Sequence, residues 1–223
     1  MKTIVVELFI ALVTILASIH FWDRDVVLTV KNMLIFTNNE PIFFSIVLGI
    51  PTSFLITRIN ILPTAFEAAR LESTNTWLKQ RFILNLVYSN LTAVVATSAL
   101  ELANIAVNGT KYLNWLPMIV SFLLIAQDIL LVQMMGQVIF LLSRKIPQIL
   151  ITVFLFFILS FLDFVKGRFS LLILGAPAYI PRINLMSLLY YLLLTSGLIM
   201  LLQMSSHYLF KKTAHIYDSQ KIF

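Results

Sequence analysis

The sequence predicts an all-α, polytopic membrane protein of about six transmembrane helices, and three observations lead there. Of 223 residues, 60% are hydrophobic and 12% charged, whereas a soluble domain has about 25% charged and 45–50% apolar residues. The apolar residues fall in runs of membrane length. The cations gather between those runs. A water-soluble fold of this size could not hide so much apolar surface, so the solvent is lipid and residues 1–223 read as one transmembrane domain.

About 20 apolar residues cross a bilayer core at 1.5 Å per residue. Six stretches meet this length: Thr3–Trp22, Pro41–Thr57, Phe82–Val107, Leu116–Leu142, Ile146–Val165 and Ile183–Phe210. The first follows Met1 and Lys2 as a signal peptide would. It is long for a signal h-region, however, and ends in Trp22, Asp23, Arg24 and Asp25 rather than a small-residue cleavage site, so it reads as a retained span. The second contains Pro51, whose ring removes an intrahelical hydrogen bond and kinks the span. Asn108 and Gly109 follow the third span and give the turn before the fourth. Phe169–Ile180 is apolar but too short to cross, and Gly175 and Pro177 break it in the middle. It reads as a re-entrant segment before the sixth span, or as an apolar loop packed on the bundle.

Orientation follows the distribution of Lys and Arg. Lys2, Arg58, Arg70, Lys79, Arg81, Arg144, Lys145, Lys211, Lys212 and Lys221 fall on one side, and Arg24, Lys31, Lys111, Lys166, Arg168 and Arg182 on the other. The richer side is expected to be cytoplasmic, which puts both termini inside a multi-pass cell-membrane protein. Trp22, Tyr112 and Trp115 then mark the outer interface, and Trp77 and Tyr208 the inner one. The net charge of +6 is used up in this threading, so nucleic acid is not an expected partner.

Catalysis and metal binding find little support. There is no cysteine, the three histidines, His20, His207 and His215, lie far apart, and no G-x-x-x-x-G-K-[ST] phosphate loop occurs. No cofactor is expected, and ATP, if used, would be bound by another polypeptide. The anomalous residue is Asp128, near the middle of the fourth span, where an ionised carboxylate costs about 2.5–3.5 kcal/mol on insertion scales. Gln127, Gln133 and Gln137 share that span, and Asn85, Asn90 and Glu101 lie in the third. Asn85, Asn90, Asp128, Gln133 and Gln137 are the candidates for an intramembrane polar path. The alternative role for the same residues is interhelical hydrogen-bond glue. Glu101, close to the outer end of its span, is expected to be wetted.

The stretch from Arg58 to Arg81 is the longest polar interval between two spans. Pro63 suits the first helical position, and Thr64 to Glu72 are mostly good helix formers. Leu62, Phe66 and Ala69 form a narrow apolar stripe with Glu67 and Arg70 beside it. Ser73, Thr74 and Asn75 then end this helix and cap the next, which Trp77 anchors.

With six spans, cytoplasmic termini, a short helix at Pro63–Glu72 and an apolar segment at Phe169–Ile180, the chain resembles the small bacterial membrane subunits of type-2 ABC exporters. Family members often carry an arginine, a serine and then a tryptophan followed by basic residues, as in Arg70, Ser73, Trp77 and Lys79. Many also begin with an amphipathic interface helix, for which there is no room before Thr3. The resemblance implies a permease that is not itself an enzyme, paired with a second permease subunit, homo- or heterodimeric, and with cytoplasmic ATPase subunits. It implies ATPase coupling through Phe66, Arg70, Ser73 and Trp77, and export of an amphipathic peptide such as a bacteriocin, a lipid or a drug-like molecule. Two other readings stay open: an accessory or immunity membrane protein without an ATPase, and a secondary transporter using Asp128 and Glu101 as a proton relay.

Overall fold

The computed structural model describes residues 74–108, 115–143 and 185–220, together with Phe9, Leu12, Pro147 and Ile151. Among them there are three long helices and no strand: α1 (Thr74–Asn108), α2 (Trp115–Ser143) and α3 (Leu185–Gln220). Each contains a stretch long and apolar enough to cross a membrane, at Thr76–Ala99, Met118–Ser143 and Leu192–Lys211. Phe9, Leu12 and Ile151 are helical and exposed, as residues of the expected first and fifth spans. The rest of those spans, the second span, the Pro63–Glu72 helix with Phe66, Arg70 and Ser73, and Phe169–Ile180 lie outside the described residues.

The ends of the helices have local causes. α2 begins one residue before the expected span and ends one after it, because apolar composition fills it from end to end. α1 starts at Thr74, eight residues before the apolar run at Phe82 and where Ser73, Thr74 and Asn75 were expected to cap a helix. Trp77, Leu78, Lys79, Gln80 and Arg81 are acceptable or good helix formers, so the helix continues past the apolar boundary. It stops at Asn108, where Asn-Gly was expected to turn the chain. α3 likewise runs ten residues beyond Phe210.

α2 lies between the other two helices. Side-chain partners fix the directions. Asn85, early in α1, meets Gln137, late in α2, so these helices are antiparallel. Gln127 of α2 meets Leu192 and Ser196 of α3, while Leu130, Leu131 and Met134 pack on Ile199, and Leu202 joins them, so α2 and α3 run parallel. Trp77 at the start of α1 meets Phe210 near the end of α3.

The faces follow the sequence at helical period. α1 turns Asn85, Ser89, Thr92, Ala93 and Ala96 inward, a stripe of small and polar side chains that lets backbones approach closely. Its opposite face carries Ile83, Val87, Leu91 and Val94, all exposed. α3 buries Thr195, Ile199 and Ser206 and leaves Leu193, Met200, Leu201, Met204 and Tyr208 exposed. In a bilayer these apolar faces meet acyl chains. α2 has only a short face of this kind, Trp115, Ile119 and Leu123 in its first half; from Leu124 to Leu141 apolar and polar side chains alike are buried around most of its circumference.

Candidate functional site

Two layers of polar side chains join the helices of this bundle among the described residues. Near the middle of α2, Gln127 Nε2 donates to Ser196 Oγ at 3.1 Å and reaches Leu192 O at 3.5 Å. Ser196 in turn donates to Leu192 O at 2.7 Å, so one carbonyl of α3 serves its own helix and its neighbour. Ten residues along, about 15 Å nearer the Trp77 end, Asn85 Nδ2 donates to Gln137 Oε1 at 3.1 Å and touches Met134 Sδ at 3.7 Å. Between the layers sits an apolar plug of Leu130, Leu131, Met134 and Ile199, with Phe82 and Leu202 packed against it.

Neither layer uses all its hydrogen-bonding capacity. Asn85, Gln133 and Gln137 are 0% exposed. Among the described residues, Asn85 Oδ1, Gln137 Nε2, Gln127 Oε1 and both carboxamide atoms of Gln133 have no hydrogen-bond partner. Leaving one such buried group unpaired costs about 1–3 kcal/mol, so these side chains are expensive as packing. Ser206 Oγ on α3 is in the same condition.

Asp128 is 2% exposed, and neither carboxylate oxygen meets a donor among the described residues. It follows Gln127 directly, which places it about 100° round α2 from the side chain that grips α3. The two neighbours therefore address different sides of the helix, and Asp128 does not join the Gln127 layer. Ser121, two turns earlier and within about 20° of Asp128, is also buried with its hydroxyl unpartnered among the described residues.

The expected polar path is thus brought together in part. Asn85 and Gln137 are bonded, and Gln133 lies one turn from Gln137. Asn90 stands apart: five residues from Asn85, it points about 140° away, and its Nδ2 donates to Leu86 O of its own helix at 2.7 Å. Glu101, expected to be wetted, is 6% exposed, although Leu102 beside it is exposed. Ser196 and Ser206 were not singled out in the sequence. Their signal was present in the recurrence of Thr195, Ile199, Leu202 and Ser206 at helical spacing, which defines the inward face of α3.

At the Trp77 end the bundle is closed by aromatic contact. The rings of Trp77 and Phe210 stack with centroids 4.9 Å apart and 22° between planes, and the Arg81 guanidinium lies 5.3 Å from the Trp77 ring centre. Trp77 is 3% exposed. Of the residues expected to couple to an ATPase it is the one within the described residues, and its ring is engaged with α3. Tyr208 lies near the same end and Trp115 at the other, both exposed, as residues of two opposite interfaces would be.

Comparison with family models, with curated proteins and with solved structures finds no match to this chain.

Proposed function

We propose that this chain is the membrane-spanning subunit of an ATP-driven exporter, with the solute route running along α2. The observation that supports transport is the pair of buried polar layers separated by an apolar plug. Fully buried carboxamides with unused donors and acceptors are costly in a purely structural bundle, and they suit a route that is closed here and wetted or occupied when open. The ATPase is carried by the resemblance in the Arg58 to Arg81 stretch. The coupling segment would end at Ser73, directly before α1, and Trp77 would pass its movement to α3 through Phe210.

The parallel course of α2 and α3 supports the finer topology. If both cross the bilayer, the chain between Ser143 and Leu185 crosses an odd number of times, and Ile146–Val165 is the one stretch there of sufficient length. Four described or implied crossings, preceded by Thr3–Trp22 and Pro41–Thr57, make six, with both termini on the cation-rich side. Partners in this reading are a second permease subunit and cytoplasmic ATPases. A proton-coupled transporter is the second reading, favoured by Asp128, buried at mid-span without a donor among the described residues.

Affinity purification in mild detergent, followed by identification of associated subunits, tests the coupling. Wild type should retain an ATPase. Truncating an apolar anchor at an interface costs about 2 kcal/mol or more, whereas a rim charge matters less, so Phe66→Ala should release most of it and Arg70→Ala should weaken retention mainly at raised salt. Recovery of no ATPase with wild type, or full ATP-driven activity in Phe66→Ala, overturns the exporter reading.

A further inference from the structure

We propose that Gln133 and Gln137, together with Asn85, form a binding site for the backbone of an extended peptide inside the bundle, an inference that rests on the exporter reading and names its substrate class. Asn85 and Gln137 spend one donor and one acceptor on each other, at 3.1 Å. What remains is Asn85 Oδ1 as acceptor and Gln137 Nε2 as donor, both buried and unpartnered among the described residues. Turning both carboxamides end for end changes nothing essential, because one acceptor and one donor are still left over. One turn along α2, Gln133 keeps both its carbonyl oxygen and its amide nitrogen unpartnered among the described residues.

Two donor–acceptor pairs therefore stand open at levels four residues apart on α2, about 6 Å along the axis and within about 40° of each other around it: Gln133 Nε2 with its own Oε1, and Gln137 Nε2 with Asn85 Oδ1 of α1. In an extended chain, residues two apart present N–H and C=O on the same edge and repeat every 6.6–6.8 Å or so. The two repeats agree to about an ångström. Of two successive same-edge residues of a peptide lying along α2, one can exchange an N–H···O and an O···H–N bond with Gln133, and the other with Asn85 Oδ1 and Gln137 Nε2 together.

The chemistry of the surroundings agrees with such an occupant. Among the described residues the site holds amides and no charge: Asp128, five residues from Gln133, is about 140° round the helix. Met134, Leu130 and Phe82 flank it, apolar surface for the side chains of the guest. Recognition through main-chain groups tolerates varied side chains, as in strand addition to a sheet edge. Because Asn85, Gln133 and Gln137 are wholly buried, entry requires a neighbouring segment to part from α2.

The test is a binding titration on the purified full-length chain in lipid nanodiscs. The probes are a fluorescent, capped leucine–alanine decapeptide and its depsipeptide counterpart, in which ester oxygens replace every amide N–H. Wild type should bind the peptide at least tenfold more tightly than the depsipeptide. Gln133→Met and Gln137→Met should each weaken the peptide about tenfold and leave the depsipeptide unchanged. Equal affinity of wild type for both probes overturns the backbone site while leaving the exporter reading intact, since recognition would then be apolar only. Binding of neither probe by a chain that elutes as a single folded species also overturns it. The exporter reading stands or falls separately on ATPase retention, in which Gln133 and Gln137 take no part.

Discussion

The indole of Trp77 lies 4.9 Å from the ring of Phe210, so the first turns of α1 and the last membrane turn of α3 are held by one stacked pair across 133 positions of chain. The Arg81 guanidinium, 5.3 Å from the same indole, adds a cation to the stack.

Stacked aromatic pairs contribute about 0.5–1.5 kcal/mol beyond the area they bury. A double-mutant cycle with Trp77→Ala and Phe210→Ala, read from unfolding in mixed micelles, should return a coupling in that range. Simple additivity of the two losses would show that the contact does not hold the helices.

The carboxamides allow a prediction of opposite sign. Gln133 has no partner among the described residues, so Gln133→Met removes a buried unpaired amide while keeping the shape of the side chain. Stability in the same assay should be unchanged or rise by about 1 kcal/mol. Asn85→Leu should destabilise, because it strands Gln137, and adding Gln137→Leu should restore part of the loss, with a coupling of about 0.6 kcal/mol, typical of interhelical hydrogen bonds in membranes. A large loss in Gln133→Met would mean that the amide has a partner essential to the fold.

Asp128→Asn deletes the charge and keeps a polar side chain of the same size. Assembly, measured by size-exclusion chromatography, should be normal, and export should largely survive if the exporter reading holds. Normal assembly with export abolished would move the proton-relay reading ahead.

Topology can be read by labelling, since the chain has no cysteine. Single cysteines at Ser73, Asn108, Asn184 and Ser219 bracket the described helices. Impermeant maleimide on intact cells should reach Asn108→Cys and Asn184→Cys only. Labelling of Ser219→Cys with Asn184→Cys protected would break the parallel arrangement of α2 and α3, and labelling of Ser73→Cys would reverse the threading.

Much of the helix content was legible because it depends on local composition. Leu116 to Leu142 is apolar from end to end, and α2 matches that run to within one residue at each end. The start of α1 was legible from capping rather than hydropathy: Thr74 to Arg81 are polar or mixed residues, but Ser73, Thr74 and Asn75 were expected to cap a helix anchored by Trp77, and α1 begins at Thr74. Asp128 and the glutamines were visible as polar residues in a costly place. What sequence could not give was their partners. Asn90 looks as suitable as Asn85 when each is only an asparagine in a span. Helical phase separates them, turning one toward Gln137 and the other back to its own Leu86 carbonyl. Ser196 and Ser206 were passed over because a serine in an apolar run carries no cost until it is known which way it faces.

The Ser196 bond to its own helix belongs to a set that carries a consequence for biosynthesis. Ser89, Thr97, Ser196 and Ser205 each donate to a carbonyl three or four residues back in their own helix, so these groups are satisfied as soon as a helix forms. The carboxamides of Asn85 and Gln127 instead wait for a neighbour. Asn85 can reach Gln137 once residues up to Ser143 have left the ribosome, whereas Gln127 stays without its acceptors until Leu192 and Ser196 have been made. The α1–α2 hairpin is therefore the part that can mature during translation, and a nascent chain stalled before α3 would hold Gln127 open to chaperones or to the insertion machinery.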